Sequence, residues 1–189
     1  MKKLIAVFAA AVFVSLLCAS LVSCGCEHAW DRNVDGFCDE CDEILNEVTK
    51  EEWVAGFNIT NAVVETLETT ESSGNEEGVE NKFNVVDGKV YPDSADGGNS
   101  SWGMDFSALK SYFAFGSAYD SFTFDEDIAK YVCESLTVDG ITYENISVMF
   151  YANKRLALIE YFVESAQNGR INVSIGVSAY ESAAVPEKK

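Results

Sequence analysis

Residues whose side chains bind metals are concentrated in one short segment near the N-terminus. Cys26, His28, Cys38 and Cys41 follow the pattern C-x-H-x9-C-x2-C, and His28 is the only histidine of the 189-residue chain. Thiolates and an imidazole are usual ligands of tetrahedral zinc, and a C-x-x-C pair lets one tight turn present two sulfurs to the same ion. The spacing therefore predicts a zinc site with three cysteine ligands and one histidine ligand.

A second pattern in the same segment consists of oxygen ligands at the spacing of a D-x-N-x-D-G calcium loop: Asp31, Asn33, Asp35, Asp39 and Asp42. Such ligands converge on a hard cation, and Gly36 permits the sharp turn in the middle of the loop. The segment resembles the calcium loops of dockerin modules, which implies calcium as the alternative to zinc. Asp42 departs from the usual bidentate glutamate, and Cys38 stands where a branched aliphatic residue is usual. A disulfide, or an acidic spacer without any ligand, is a third interpretation, and the sequence leaves all three open.

A basic and then apolar stretch precedes this segment. Lysines at positions 2 and 3 are followed by an apolar run over residues 4–18, and the stretch ends in Leu21-Val22-Ser23-Cys24. The run is shorter than the ~20 apolar residues of a spanning helix, and it has the form of a cleaved leader. Its last four residues resemble the lipobox of bacterial prolipoproteins, which implies cleavage before Cys24 and a lipid on that cysteine. Two or three acyl chains would anchor the protein stably, because a single chain binds a membrane only marginally.

The leader and the charge together indicate where the protein works and which partners it excludes. We expect a lipid-anchored protein on the extracytoplasmic side of a bacterial cell membrane, with the membrane as its partner through Cys24. The formal net charge is -18. Such a chain repels polyanions and lacks the cations that neutralise phosphates, so nucleic acid is excluded as a partner. An unknown protein or a hydrophobic ligand is the expected partner.

The sequence lacks the usual combinations of catalytic residues. No G-x-S-x-G, Walker, H-E-x-x-H or dinucleotide motif is present. Because the only histidine lies in the metal-binding-like segment, the rest of the chain has no Ser-His or Cys-His pair for nucleophilic catalysis. The sequence therefore predicts a binding protein and no enzyme.

The sequence predicts four regions, one of which is the domain that must position any site. Residues 1–23 are the signal peptide, 24–47 the Cys/His/Asp-rich tag, 48–182 an α+β domain and 183–189 a disordered tail. Within the domain, a capping box at Thr49 opens a short helix, and apolar residues at helical spacing over 105–115 predict the main helix. Alternating strands from Lys130 onward predict a meander. We expect an antiparallel curved sheet, made of hairpins plus a C-terminal meander, packed by one main helix.

Three aromatic residues near the predicted main helix have two interpretations. Trp102, Phe106 and Phe113 either line a groove between helix and sheet, or form part of the core. A continuous apolar cavity of roughly 300 Å³ or more beneath the helix would favour a ligand groove.

The lipobox, the tag and the order of elements are together similar to clostridial-type lipoproteins, a group without an established activity. The similarity implies a non-enzymatic lipoprotein with a binding or interaction domain. The strand pattern is also loosely similar to LolA/LppX-like lipoprotein carriers, which implies as the alternative a carrier of lipid or another hydrophobic ligand. No motif residue supports that second similarity, and fold-level likeness alone does not assign a function.

Overall fold

The computed structural model describes residues 31–72, 75–93, 103–166 and 169–183, with backbone alone for residues 71–72 and 75–77. Within them the chain forms one antiparallel sheet of nine strands and one short α-helix, α1, at Lys50–Phe57. The strands are β1 (Ala62–Ser72), β2 (Asn75–Val86), β3 (Lys89–Pro92), β4 (Met104–Asp105), β5 (Thr123–Asp125), β6 (Lys130–Val138), β7 (Ile141–Phe150), β8 (Leu156–Ser165) and β9 (Gly169–Ser178).

The strand order in the sheet is β4-β3-β2-β1-β9-β8-β7-β6-β5. Strands β1 to β4 therefore run outward from the centre to one edge, and β5 to β9 run back from the opposite edge to the centre. Residues 106–122, called here the crossing segment, connect the two edges. The centre of the sheet is the pairing of β1 with β9, in which Val64 lies opposite Val177.

The core lies on one face of the sheet, called here the inner face. In β9, Val173, Ile175 and Val177 are buried, whereas the residues between them are half-buried. Because successive side chains of a strand point to opposite faces, these three residues share the inner face. The aromatic and aliphatic residues of α1 and the crossing segment that join the same core are Trp53, Phe57, Leu109, Phe113 and Phe115.

Trp53 connects three parts of this core. It is fully buried, and its ring centroid lies 4.9 Å from that of Phe122 and 5.2 Å from that of Tyr131. Its indole Nε1 donates a hydrogen bond to the backbone oxygen of Phe115 over 3.1 Å. Helix α1 is thereby fixed against both the crossing segment and β6, and burial of a tryptophan contributes more apolar area than most side chains.

The start of α1 agrees with the capping box predicted at Thr49. The hydroxyl of Thr49 accepts the Glu52 N–H over 3.2 Å, and the Glu52 carboxylate accepts the Thr49 N–H over 2.8 Å. The reciprocal bonds satisfy two of the backbone donors that a helix start leaves without partners. The bond from the Thr49 backbone lowers the pKa of Glu52.

The predicted α+β class is wrong, because the described chain is dominated by a single antiparallel sheet and no main helix packs against it. Residues 105–115, predicted as that helix, form a short 3-10 turn at Phe106–Leu109, capped by Asp105, and then further turns. The physical reason lies in Phe113 and Phe115, which are both buried in the core. Residues two positions apart do not share a face of an α-helix, whereas a series of turns directs both rings toward the sheet.

Candidate functional site

The zinc pattern is only partly within the described residues. Cys24, Cys26 and His28 lie outside them. Cys38 is buried and Cys41 half-buried, and the Cys41 N–H donates to the Cys38 oxygen over 3.3 Å, as in a tight turn. No disulfide is formed among the cysteines at positions 38, 41 and 133 of the described chain.

The carboxylates of the calcium pattern accept hydrogen bonds from their own loop. Asp31 accepts the N–H groups of Asp35 and Gly36 over 3.0 and 3.1 Å. Asp35 accepts the Asn33 side-chain amide over 2.7 Å, and Asp39 accepts a backbone N–H over 3.0 Å. Among the described residues, no three His, Cys, Asp or Glu side chains converge to hold a metal ion. Zinc and calcium therefore stay predictions.

The end of the predicted tag is packed against the sheet domain. The Tyr131 hydroxyl donates to the Val48 oxygen and accepts the Val48 N–H, both over 2.7 Å, and burial raises the pKa of Tyr131 to about 12. The Asn46 side-chain amide donates to the Ala129 oxygen over 2.5 Å. Gly36, at φ +89°, leaves no room beside Asn46, because an added Cβ would lie 2.3 Å from its Nδ2. Residues 36–48 thus continue the fold upstream of α1.

The structure describes two of the three aromatic residues of the predicted groove. Trp102 lies outside the described residues. Phe106 and Phe113 both lie in the crossing segment, with ring centroids 5.3 Å apart, and Phe113 is buried in the core while Phe106 is half-buried against it. Both line a cavity of about 390 Å³ between the crossing segment and Phe57 of α1. The two rings are therefore core residues on one side and cavity wall on the other.

A further cavity lies on the inner face of the sheet, beneath the crossing segment. It has a volume of about 190 Å³ and is called here the inner-face cavity. Its principal lining residues come from β1, the crossing segment, β7, β8 and β9: Glu68, Tyr112, Tyr143, Tyr161, Ile171 and Val173. One carboxylate and three phenols thus meet an otherwise aliphatic surface.

A hydrogen bond ties the carboxylate of this cavity to the crossing segment. The Tyr112 hydroxyl donates to Glu68 Oε1 over 2.6 Å. Burial, followed by the hydrogen bond and negative charge of Glu68, raises the pKa of Tyr112 to about 12. The neutral phenol therefore persists as a donor well above neutral pH, and it holds the carboxylate in place at the cavity.

The two other phenols are buried more completely. Tyr143 and Tyr161 are 3% and 4% exposed, and their rings are edge to face with centroids 5.1 Å apart. Within the described part of the chain, neither hydroxyl has a hydrogen-bond partner. Burial raises the pKa of Tyr161, and the neighbouring Tyr143, Tyr112 and Glu68 raise it further. Neither hydroxyl is among the buried side-chain atoms without a partner, so both are open to solvent at the cavity and can bond a ligand there.

Sequence reasoning did not predict this cavity. Glu68 shares the inner face with Ala62, Val64 and Thr66, but the alternation of β1 does not distinguish the inner from the outer set. Tyr112 was assigned to a helix, and its distance from Glu68 along the chain hid their contact. A signal was present only in the tyrosines of β7 and β8, which stand at core positions of two strands although their hydroxyls need partners.

Comparisons with known proteins do not supply an identity. No protein-family model matches the chain, and no curated protein matches it significantly. None of the helices in the described residues is long and apolar enough to cross a membrane. The arrangement at the inner-face cavity therefore has to be interpreted from its own chemistry.

Proposed function

We propose that this chain is a lipid-anchored extracytoplasmic binding protein without enzymatic activity, whose domain holds a small, mainly apolar ligand in the inner-face cavity. The observation that carries the proposal is an aliphatic and aromatic cavity, open to solvent at the edge of the core, in which a few polar groups converge. Ligand sites of proteins have this character. The anchor rests on the leader sequence that ends in Cys24.

The core beside the inner-face cavity is densely filled. Trp53, Phe115 and Phe150 are fully buried and contact one another or their neighbours through edge-to-face and tilted rings. Protein interiors normally leave few voids larger than a water molecule. The space of about 190 Å³ is therefore an opening at the surface of this packing, where the exposed Ser111 and Ile141 line it and a ligand can enter from solvent.

The size of the ligand follows from the neighbouring cavities. The inner-face cavity alone is smaller than the ~300 Å³ at which pockets for larger ligands begin. A second cavity of about 360 Å³ shares Ser111, Ile141 and Tyr143 with it, and the cavity of about 390 Å³ beside α1 shares Phe113 with the second. The shared lining residues make the three cavities neighbours, so the proposal covers either a small ligand in the first cavity or a longer one that also contacts the next. This extension is what a hydrophobic carrier requires.

Native mass spectrometry tests the binding proposal. The protein should be extracted from the envelope of its own bacterium in a mild detergent, and we expect a non-covalent organic adduct besides the covalent lipid. Ile171→Trp should remove the adduct, because Ile171 is half-buried in the cavity wall. Asn172→Trp is the matched control, since Asn172 is exposed on the opposite face of β9 and should leave the adduct intact. Wild-type protein without an adduct, or equal loss in both variants, contradicts the proposal.

The anchor has a separate test. Growth with radiolabelled palmitate should label the wild-type protein, and Cys24→Ala should remove the label because no other cysteine follows a lipobox. Cys18→Ala changes the other leader cysteine and should leave the label unchanged. A labelled Cys24→Ala protein would overturn the anchor assignment while leaving the binding proposal intact.

A further inference from the structure

We infer that the ligand of the inner-face cavity is an amphiphilic cation, with an ammonium group at Glu68 and an apolar body against β8 and β9. The inference rests on the proposed binding function and names the chemistry of its ligand. It is carried by the charge of Glu68 and by the three tyrosines that surround the same cavity.

No lysine or arginine in the described part of the chain neutralises the carboxylate of Glu68. Its contact within the described residues is the neutral Tyr112 hydroxyl, and it forms no ion pair with any described lysine or arginine. Lys82, paired with Glu65 in the register of β1 and β2, and Lys110, two residues before Tyr112, are already engaged. Lys82 pairs with Glu65 on the outer face of β1, over 2.7 Å, and Lys110 of the crossing segment pairs with Asp139 over 2.8 Å. Glu68 therefore presents a negative charge at this cavity with which a ligand cation can pair.

The tyrosines favour a cation of the ammonium type. Aromatic faces attract ammonium groups within about 6 Å of the ring centroid, and aromatic rings are a common means of recognising ammonium ligands. The Tyr143 and Tyr161 hydroxyls have oxygen lone pairs without a donor in the described chain, and a primary ammonium has three N–H donors. A primary ammonium can donate one N–H to the Glu68 carboxylate and the others to the two phenol oxygens. All three polar groups would then have a partner in the same ligand.

Other ligand classes fit less well. A carboxylate or phosphate ligand would meet the charge of Glu68 with no described cation inside the cavity to offset it. A purely aliphatic ligand would bury the carboxylate and the two phenols without providing partners, which is unfavourable. The aliphatic side, formed by Val163, Ile171 and Val173, accommodates the apolar body of the ligand.

Probes of equal length separate charge from hydrophobic contact. The intact lipoprotein in phosphatidylcholine nanodiscs should be dialysed at pH 7 against radiolabelled hexylammonium or 1-hexanol, with empty nanodiscs as the blank. We expect hexylammonium to bind about tenfold more tightly than hexanol, because a hydrogen bond to a charged group contributes roughly a factor of ten or more. Glu68→Gln should reduce hexylammonium binding about tenfold and leave hexanol binding within about twofold.

Glu65→Gln is the matched control. It removes the same charge from the same strand, but Glu65 is exposed on the opposite face of the sheet, so hexylammonium binding should stay at the wild-type level. Equal binding of the two probes, or no effect of Glu68→Gln, overturns the inference while the proposed function stands. An equal loss in both glutamine variants also overturns it, since the effect would then come from net charge. If neither probe binds, the inference fails, and the binding function is then decided by the native adduct and its loss in Ile171→Trp.

Discussion

The Tyr131 hydroxyl connects the N-terminal segment to the sheet, and its removal tests how residues 36–48 are held. It donates to the Val48 oxygen and accepts the Val48 N–H, both over 2.7 Å. Tyr131 and Val48 are 3% and 4% exposed, so water has no ready access to replace a lost partner. We therefore expect Tyr131→Phe to lower the free energy of unfolding substantially.

The magnitude follows from what each group at Val48 loses. The Val48 oxygen retains a donor, because the Tyr119 hydroxyl lies 3.2 Å away. The Val48 N–H keeps no acceptor in the described contacts. A buried donor without a partner costs about 1–3 kcal/mol, and the lost bond to the oxygen adds about 0.5–1 kcal/mol. The expected loss is about 1.5–4 kcal/mol. At a urea dependence of about 2 kcal/mol per molar, this lowers the unfolding midpoint by about 1–2 M.

Urea unfolding followed by circular dichroism measures this loss. Tyr161→Phe is the matched control, because Tyr161 is equally buried and its hydroxyl has no hydrogen-bond partner in the described residues. Its free energy of unfolding should change by less than about 0.5 kcal/mol. Tyr119→Phe should lie between the two, since the Val48 oxygen keeps the Tyr131 donor. Equal midpoints for Tyr131→Phe and Tyr161→Phe would refute the reasoning.

Three further predictions concern pH, packing and metal. Burial and a neighbouring carboxylate raise the pKa of Tyr112 from 10.0 to about 12, so its contribution to stability is complete below pH 10 and is lost as the pH rises through about 12. In an alkaline titration, a late phase of phenolate absorption should coincide with loss of circular dichroism, and phenolate formation in a fully folded protein contradicts this. Gly36→Ala should lower the free energy of unfolding by more than about 2 kcal/mol, because φ is +89° and an added Cβ collides with a buried amide. Gly176→Ala, which has open space, should be neutral, and equal stability of the two variants would show that the segment around Gly36 is not packed in this way. Native mass spectrometry without chelator should show one metal per chain, lost in Cys41→Ser if it is zinc and in Asp31→Asn if it is calcium; no metal with paired cysteines would contradict both interpretations.

The positions of the strands were easier to predict from the sequence than the pairing between strands. The alternation of Ile171, Val173 and Ile175 predicts a strand, and β9 occupies that position. The turn at Asp87-Gly88 is likewise predicted, and both residues have positive φ, at 50° and 72°. These features depend on neighbours in sequence. The pairing of β1 with β9 depends on residues more than a hundred positions apart, and no local pattern indicates it.

The site was less predictable than the strands for the same reason. Helical spacing over residues 105–115 correctly indicates apolar residues that face the sheet, but it predicts the wrong backbone, because turns also bring Phe113 and Phe115 inward. The contact of Tyr112 with Glu68 follows from the path of the crossing segment. That path depends on which strands form the two edges of the sheet. The order of strands along the chain does not predict this.

The sheet order has a consequence for how the chain folds. The two halves, β1 to β4 and β5 to β9, are each built from strands that pair with their neighbours along the chain. The central pairing, with Val63 opposite Ser178, requires closure of a loop that spans most of the domain. Folding slows as contacts become less local, so the late encounter of β1 with β9 should limit the rate. Until β1 and β9 pair, the two half-sheets present open edges at the future centre of the molecule. Unpaired edges of this kind are where one chain can pair with another.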